Sequence, residues 1–99
     1  MMIKKEPGTR TNTLRVTFGI PSSIWAGQVH LVGDFNNWNR HSLPLEHSLH
    51  NGWRISLELE KGRAYQYRFL LDKTRWCNDC NADRYVPNPF GGDNSVVET

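Results

Sequence analysis

What this chain lacks narrows the field before anything it contains. It has no long apolar run, and the two lysines of MMIKKEPGTRTN are followed by polar residues, so neither a signal peptide nor a membrane-spanning segment is expected. A cytoplasmic setting is the expectation. Charge of one sign is nowhere concentrated: 12 basic and 10 acidic residues are spread along the chain for a net +2, without the basic block that marks a nucleic-acid or lipid footprint. Helical periodicity is missing from every window, which leaves no crossover helices between strands. Ninety-nine residues allow one hydrophobic core, and a (β/α)₈ barrel of ~250 residues is excluded by length.

Cysteine is scarce as well. The two present lie in Cys77-Asn78-Asp79-Cys80, and with His47-Ser48-Leu49-His50 they would make a four-ligand zinc site on paper. A lone CxxC lacks a second strong cluster, however, and the histidine spacing is shorter than zinc sites use. An offset of three along a strand also turns the two imidazoles to opposite faces. No βαβ pattern surrounds the CxxC to suggest redox chemistry. Neither a metal nor a cofactor is expected.

What is present is alternation. Leu14, Val16, Phe18 and Ile20 alternate with Arg15, Thr17 and Gly19 as in a half-buried strand, stopped by Pro21-Ser22-Ser23. Val29-His30-Leu31-Val32 reads as a second strand ended by Gly33-Asp34, and Leu43-Pro44-Leu45 as a short edge segment that tolerates proline. Asn51-Gly52 is the strongest hairpin turn signal, with positive φ expected at both residues. It leads into Trp53, Ile55, Leu57 and Leu59 on one strand face. After Lys61-Gly62, Tyr65, Tyr67, Phe69 and Leu71 share one face, and Gln66, Arg68 and Leu70 the other. A helical turn fits around Ser22 to Ala26, residues 77–94 carry turn chemistry, and Ser95 to Glu98 closes with a strand. The pattern predicts an all-β protein, an immunoglobulin-like antiparallel β-sandwich of the early-set type with about six to eight short strands. Residues 1–11 are expected to form a flexible lead-in to a domain spanning 12–99.

The four tryptophans divide by context. Trp53 opens a period-two series and Trp25 lies near a strand boundary, so both are assigned to the core. Trp38, in Val32-Gly33-Asp34-Phe35-Asn36-Asn37-Trp38-Asn39, and Trp76 sit beside loops and are surface candidates. A tryptophan there can simply cap the open end of a sandwich. It can also cover the weakly polar face of a pyranose ring, while neighbouring amides and guanidinium groups meet the hydroxyls. Asn36, Asn37 and Asn39 beside Trp38, Arg68 on an outward strand position and Asn94 before the last strand are groups of that kind. Asparagines also favour turns for backbone reasons, and an exposed strand arginine is often only a solvated face.

Three stretches, VHLVGDFNNWN, WRISLELEKGRAYQYRFLLD and ADRYVPNPFGGDNSVV, carry a resemblance. Over residues 13–98 the chain resembles carbohydrate-binding module family 48, the isoamylase N-terminal or glycogen-binding type. That family is found in starch-debranching and glycogen-branching enzymes and in the β subunit of AMP-activated protein kinase. The resemblance implies that Trp38 and Trp76 stack on glucose units, and that Arg68 and Asn94 bind hydroxyls. Asn37 and Phe90 are implied with less support, Phe90 standing where the kinase subunit has an aliphatic residue. Two further departures are Arg68 in place of a lysine, and Asp72-Lys73-Thr74-Arg75 before Trp76 with no glycine and one extra residue.

The expected function is non-catalytic binding of α-1,4-linked glucan, as glycogen, starch or maltooligosaccharide, free-standing or beside a glucan-metabolising enzyme or a kinase. The alternative is a protein-docking module of the same fold that has lost sugar binding and associates with a glycoside hydrolase family 13 enzyme or a kinase. Intrinsic glycoside hydrolysis would need two opposed carboxylates, and no loop aspartate here has an apolar neighbourhood that would raise its pKa. Single-strand nucleic-acid binding, another use of exposed aromatics and arginine, conflicts with the even spread of charge, and no membrane partner is expected.

Overall fold

A computed structural model describes residues 2–99. The strands in chain order are β1 (Met2–Pro7), β2 (Thr13–Ile20), β3 (Val29–Gly33), β4 (Glu46–Ser48), β5 (Gly52–Glu60), β6 (Ala64–Leu71), β7 (Arg75–Cys77), β8 (Arg84–Pro87) and β9 (Asp93–Glu98). They form two antiparallel sheets, one ordered β1-β2-β5-β4 and the other β3-β6-β9-β8, with β7 also paired to β6. This is the all-β sandwich that the alternation predicts, with nine strands among the described residues rather than six to eight.

Alternation sets the register. β2 runs against β5 with Val16 opposite Leu57 and Ile20 opposite Trp53, and β3 runs against β6 with Leu31 opposite Phe69. The inward rows Val16, Phe18 and Ile20 of the first sheet meet Val29, Leu31, Tyr67, Phe69, Leu71 and Val97 of the second. Phe18 stands edge-on to Tyr67 with ring centroids 5.0 Å apart. Trp53 is buried as expected, its ring 4.5 Å from that of His47.

One polar group is built into this interior. Asp79, in the middle of the CxxC stretch, is fully buried and accepts the Tyr67 hydroxyl at 2.8 Å. Its backbone N–H donates to Ser95 Oγ at 2.9 Å, and its carbonyl accepts the Tyr85 hydroxyl. Burial and then the Asp79 charge push the Tyr67 phenol well up, so it remains a neutral donor.

Several expectations are corrected. Met2–Pro7 is not a loose lead-in: it pairs with β2 from Met2 opposite Gly19 to Pro7 opposite Leu14. Met1 lies outside the described residues. Ile3 packs β1 on the core, and the charges that follow it suit a solvated edge strand while hiding it from a search for alternation. Trp25 is 90 % exposed rather than in the core, because its neighbours Ile24 and Ala26 are the residues of this connection that pack against the core. The helical turn expected around Ser22 to Ala26 is instead a turn over Pro21–Ile24, closed by Ile24 N–H on Pro21 O, and among the described residues the helical turn is the 3₁₀ segment Asp34–Asn36.

The 77–94 stretch, predicted as turns, contains β8 and the start of β9. Leu43-Pro44-Leu45 lines the edge of β3, with Leu31 N–H on Leu43 O and Leu45 N–H on Val29 O, a position where proline's missing N–H costs nothing. At Asn51-Gly52 only Gly52 takes positive φ, at 69°. A Cβ there would also come within 2.3 Å of Ile20 O, so the residue must be glycine, ending a three-residue hairpin loop in the left-handed conformation.

The turn between β1 and β2 is tied to β5 by Glu58. Its carboxylate accepts Thr9 N–H and Thr9 Oγ1 at 2.5 Å each and the Arg10 guanidinium at 3.0 Å. The Thr9 side-chain and backbone bonds, then Arg10, hold its carboxyl down to about 2 against an ordinary 4.5. A carboxyl lowered on folding stabilises the native chain above its unfolded value, and that contribution is lost as pH falls from about 4.5 through about 2. Glu58→Gln should therefore flatten the fall in melting temperature over that acid range, and a fall of unchanged depth would disprove the linkage.

Candidate functional site

The outward face of the second sheet is not a plain solvated surface. Val32 of β3, Leu70 of β6 and Val96 of β9 point away from the core yet are almost fully buried. Beside them, loops and β7, which extends this sheet along β6, rim a cavity of about 610 Å³. Its floor is Gln66 and Arg68 of β6 with Asn94 of β9; its walls are Trp38 and Arg40, Trp76 of β7, and the 88–91 loop carrying Phe90.

Trp38 reaches this rim through a strained loop. Gly33 ends β3 where a Cβ would lie 2.5 Å from Gln66 O and 2.8 Å from Tyr67 Cβ, so only glycine lets the chain pass. Phe35 then drops onto Phe18 and Tyr67, with centroids 5.7 and 6.3 Å away. Asn37 and Trp38 both take left-handed φ, 55° and 57°, which is uncommon for non-glycine residues and a marked departure for one as bulky as tryptophan. Such strain persists where surrounding bonds over-determine the backbone. Here Trp38 N–H donates to Gly33 O at 2.9 Å and Asn39 N–H to Asn36 O at 3.1 Å.

Asp34 sets the ring. One carboxylate oxygen accepts the Trp38 indole Nε1–H at 2.9 Å, and the other accepts Gln66 N–H at 2.8 Å, beyond the end of β3. The indole nitrogen is thereby engaged, and the side chain offers the cavity its faces rather than a donor.

The asparagines of this loop turn out to be scaffold. Asn36 accepts Gly33 N–H and donates to Asn39 O and Ser42 Oγ; Asn39 Oδ1 accepts His41 N–H. Asn37 closes the 3₁₀ turn and is not among the residues lining the cavity. Sequence reasoning could not separate turn asparagines from site asparagines, since both uses favour the same residue beside the same aromatic.

Trp76 is carried by the β6–β7 hairpin, opposite Leu70 and therefore on the outer face, 36 % exposed. Asp72 and Lys73 provide the two positive φ values of the turn, 52° and 64°, without glycine. The cost is met by Asp72 Oδ1, which accepts Gly27 and Gln28 N–H at 2.7 and 3.0 Å. Those two N–H groups, and then Arg75, hold the Asp72 carboxyl below its usual range. The Arg68 and Arg40 guanidinium carbons lie 5.5 and 5.3 Å from the Trp76 ring centroid, inside cation–π range. Arg68 Nε is buried without a partner.

Asn94 is only 6 % exposed. It belongs to a chain of amides in which Asn88 Nδ2 donates to Asn94 Oδ1 and Asn94 Nδ2 to Gln66 Oε1, each at 3.0 Å. That direction leaves the Gln66 NH₂ at the end of the chain, on the cavity floor. Asn88 Oδ1 also accepts Phe90 N–H at 2.8 Å, fixing the turn whose tip holds Phe90, 96 % exposed.

The structure thus brings Trp38, Arg68, Trp76, Asn94 and Phe90 together and leaves Asn37 outside. Arg40, Gln66 and Asn88 were missed. Gln66 was legible, being two residues from Arg68 in the outward phase of one strand; Arg40 and Asn88 lie on loops, where no period marks direction. His47 is in the first sheet and Cys77 in the second, so CxxC and HxxH do not share a site. Burial, then Cys80 and Asp79, push the Cys77 thiol up, away from the reactive thiolate.

A sandwich that presents two tryptophans, guanidinium groups and amides around one outer-face cavity has the make-up of a small recognition module. The comparisons make that class specific. A sequence model of carbohydrate-binding module 48 (isoamylase N-terminal domain) matches residues 16–91, and the chain belongs to this family, a family of carbohydrate-binding modules. The match takes in Trp38, Arg68, Trp76 and Phe90 and ends before Asn94. The chain is also 36 % identical over 77 residues to the 5'-AMP-activated protein kinase subunit beta-1 of Sus scrofa, covering 75 % of this chain and 58 % of that one. For the Bos taurus subunit the identity is 36 %, and for the Homo sapiens subunit 35 %, each over 77 residues. The match covers 26 % of either, so the chain spans well under two thirds of these relatives.

If Asp34 holds the Trp38 ring, Asp34→Ala should lower stability by about 1–3 kcal/mol through the loss of two charge-assisted bonds and speed water exchange of the Trp38 indole proton. Unchanged melting and exchange would show that the carboxylate fixes neither group.

Proposed function

We propose that this protein is a non-catalytic α-glucan-binding module that takes a chain of α-1,4-linked glucose in the outer-face cavity. The observation that carries the reading is convergence: Trp38, Arg68, Trp76 and Asn94, far apart in sequence, line one concavity. Trp38 and Trp76 stack on sugar faces, and Gln66, Arg68 and the amide chain through Asn94 meet hydroxyls. A curved α-glucan suits two rings set on different loops around a strand arginine better than flat cellulose does. Phe90, at an exposed tip over the same cavity, adds a contact that closes on the bound chain.

A binding role without catalysis is supported by the lining itself. No Asp or Glu is among the described residues that line the cavity, whereas glycoside hydrolysis uses a pair of carboxylates flanking the scissile bond. Asp34, the nearby carboxylate, has both oxygens engaged. The kinase-subunit relatives support action beside a larger partner, a kinase or a glucan-metabolising enzyme. The docking-only alternative makes the opposite prediction for sugar.

The test is retention on glycogen and insoluble starch against cellulose. We expect retention on the first two only, changing little between about 50 and 500 mM salt, because a neutral glucan releases no condensed counterions. Trp38→Ala and Trp76→Ala should each weaken binding by about 1–3 kcal/mol, by analogy with aromatic–base stacking, with the fold kept. Incubation with amylopectin should release no reducing ends above a buffer blank. Equal retention on cellulose, or loss of folding in Trp38→Ala alongside full binding by a folded Trp38→Phe, would overturn the site. No retention on glycogen or starch would favour the docking-only alternative.

A further inference from the structure

Four of the eight arginines are neutralised by carboxylates where they stand. Arg10 pairs with Glu58, Arg63 with Glu60, Arg75 with Asp72 and Arg84 with Glu98, at 2.8 to 3.1 Å. Arg40 and Arg68 are different. Among the described residues neither meets a carboxylate, and both are drawn to the same indole, at 5.3 and 5.5 Å from the Trp76 centroid. No acidic side chain lines the cavity they share.

This arrangement has a chemical direction. A guanidinium stacked on an indole is held in place by its face, while its N–H donors point out in its own plane, fixed and unengaged. Arg68 Nε itself is shut away from solvent, so the terminal N–H groups of its guanidinium are the donors that a ligand in the cavity would meet. Two like charges beside one ring also repel each other. A neutral hydroxyl can accept from these donors but leaves the like-charge repulsion in place, and the amides on the cavity floor already serve hydroxyls. An anion accepts from the donors and offsets the repulsion, and a tetrahedral phosphate accepts from guanidinium forks better than from any other side chain.

Resting on the glucan-binding reading above, we propose that the cavity prefers α-glucan chains that carry a phosphate monoester, which Arg40 and Arg68 hold beside Trp76 while Trp38 and the amide floor hold the neutral sugars. Arg40, on the loop wall, and Arg68, in the floor, are the specificity-determining residues. The anion belongs to the chain, not to a free phosphate, because the aromatic faces and amides around the pair are built for sugar.

The experiment compares the full chain's affinity for phosphorylated amylopectin with its affinity for the same amylopectin after enzymatic removal of phosphate. Inorganic phosphate and glucose 6-phosphate serve as soluble competitors. At low salt the phosphorylated form should bind about 2–5-fold tighter, the range that partly exposed charge pairs provide. The ratio should shrink toward one as ionic strength approaches about 0.5 M, where charges are screened within a few ångströms. Arg40→Gln, on an exposed loop where folding is not at issue, should reduce the ratio itself; Arg40→Lys should leave part of it. Equal affinity for the two amylopectins would overturn this proposal and leave glucan binding standing. Binding to neither would overturn both. A preference that survives Arg40→Gln and Arg68→Gln together would remove the assignment to these arginines, and displacement by inorganic phosphate at the same concentration as by glucose 6-phosphate would show a free-anion site instead.

Discussion

One carboxylate ties the recognition surface to the fold. Asp34 stands at the first position after β3 with one oxygen on the Trp38 indole and the other on the backbone of Gln66. β3 ends at Gly33 while β6 continues, so Gln66 N–H faces an edge with no strand beside it. A lost ladder bond would leave that group unmet; the aspartate fills it and positions an aromatic ring with its second oxygen. The loop that carries Trp38 is therefore as firmly placed as the sheet under it, although its backbone sits in a region that tryptophan rarely occupies.

The same economy recurs on the other side of the cavity. Trp76 depends on a hairpin turn of two residues with positive φ and no glycine, and that turn is held by Asp72 against the connection from β2 to β3. Asn94 depends on β9 for its height and on Asn88 and Gln66 for its orientation. Each ring or amide facing the cavity is thus fixed by a polar partner that does not face it.

The CxxC stretch shows how a motif can mislead. Its spacing suggests thiol chemistry or a metal, but its structural centre is Asp79, which accepts from Tyr67 and anchors the strand that follows Trp76. Cys77 packs against the core, and burial keeps its thiol protonated. A buried aspartate inside a polar turn has no periodic signature. It becomes visible only when the tyrosine it faces, twelve positions earlier, is brought beside it.

The sequence by itself determined the all-β class, because residues alternating between core and solvent over β2, β5 and β6 must bury one face of each strand against another sheet face. It also determined the outward phase of Arg68 and the exposed placement of Trp76, and through its motifs the family. Tertiary structure alone decided the rest. Ile3 is followed by Lys4, Lys5 and Glu6 with no alternation to mark a strand, and only the pairing with β2 makes one there. Trp25 faces solvent, since Ile24 and Ala26 on either side of it take the inward side of the connection between the sheets. Asn37 and Asn94 are the same residue in similar company, yet one closes a turn and the other floors the cavity. Period two states which face a strand residue takes, whereas a loop residue's direction is set by long-range hydrogen bonds that no local pattern encodes.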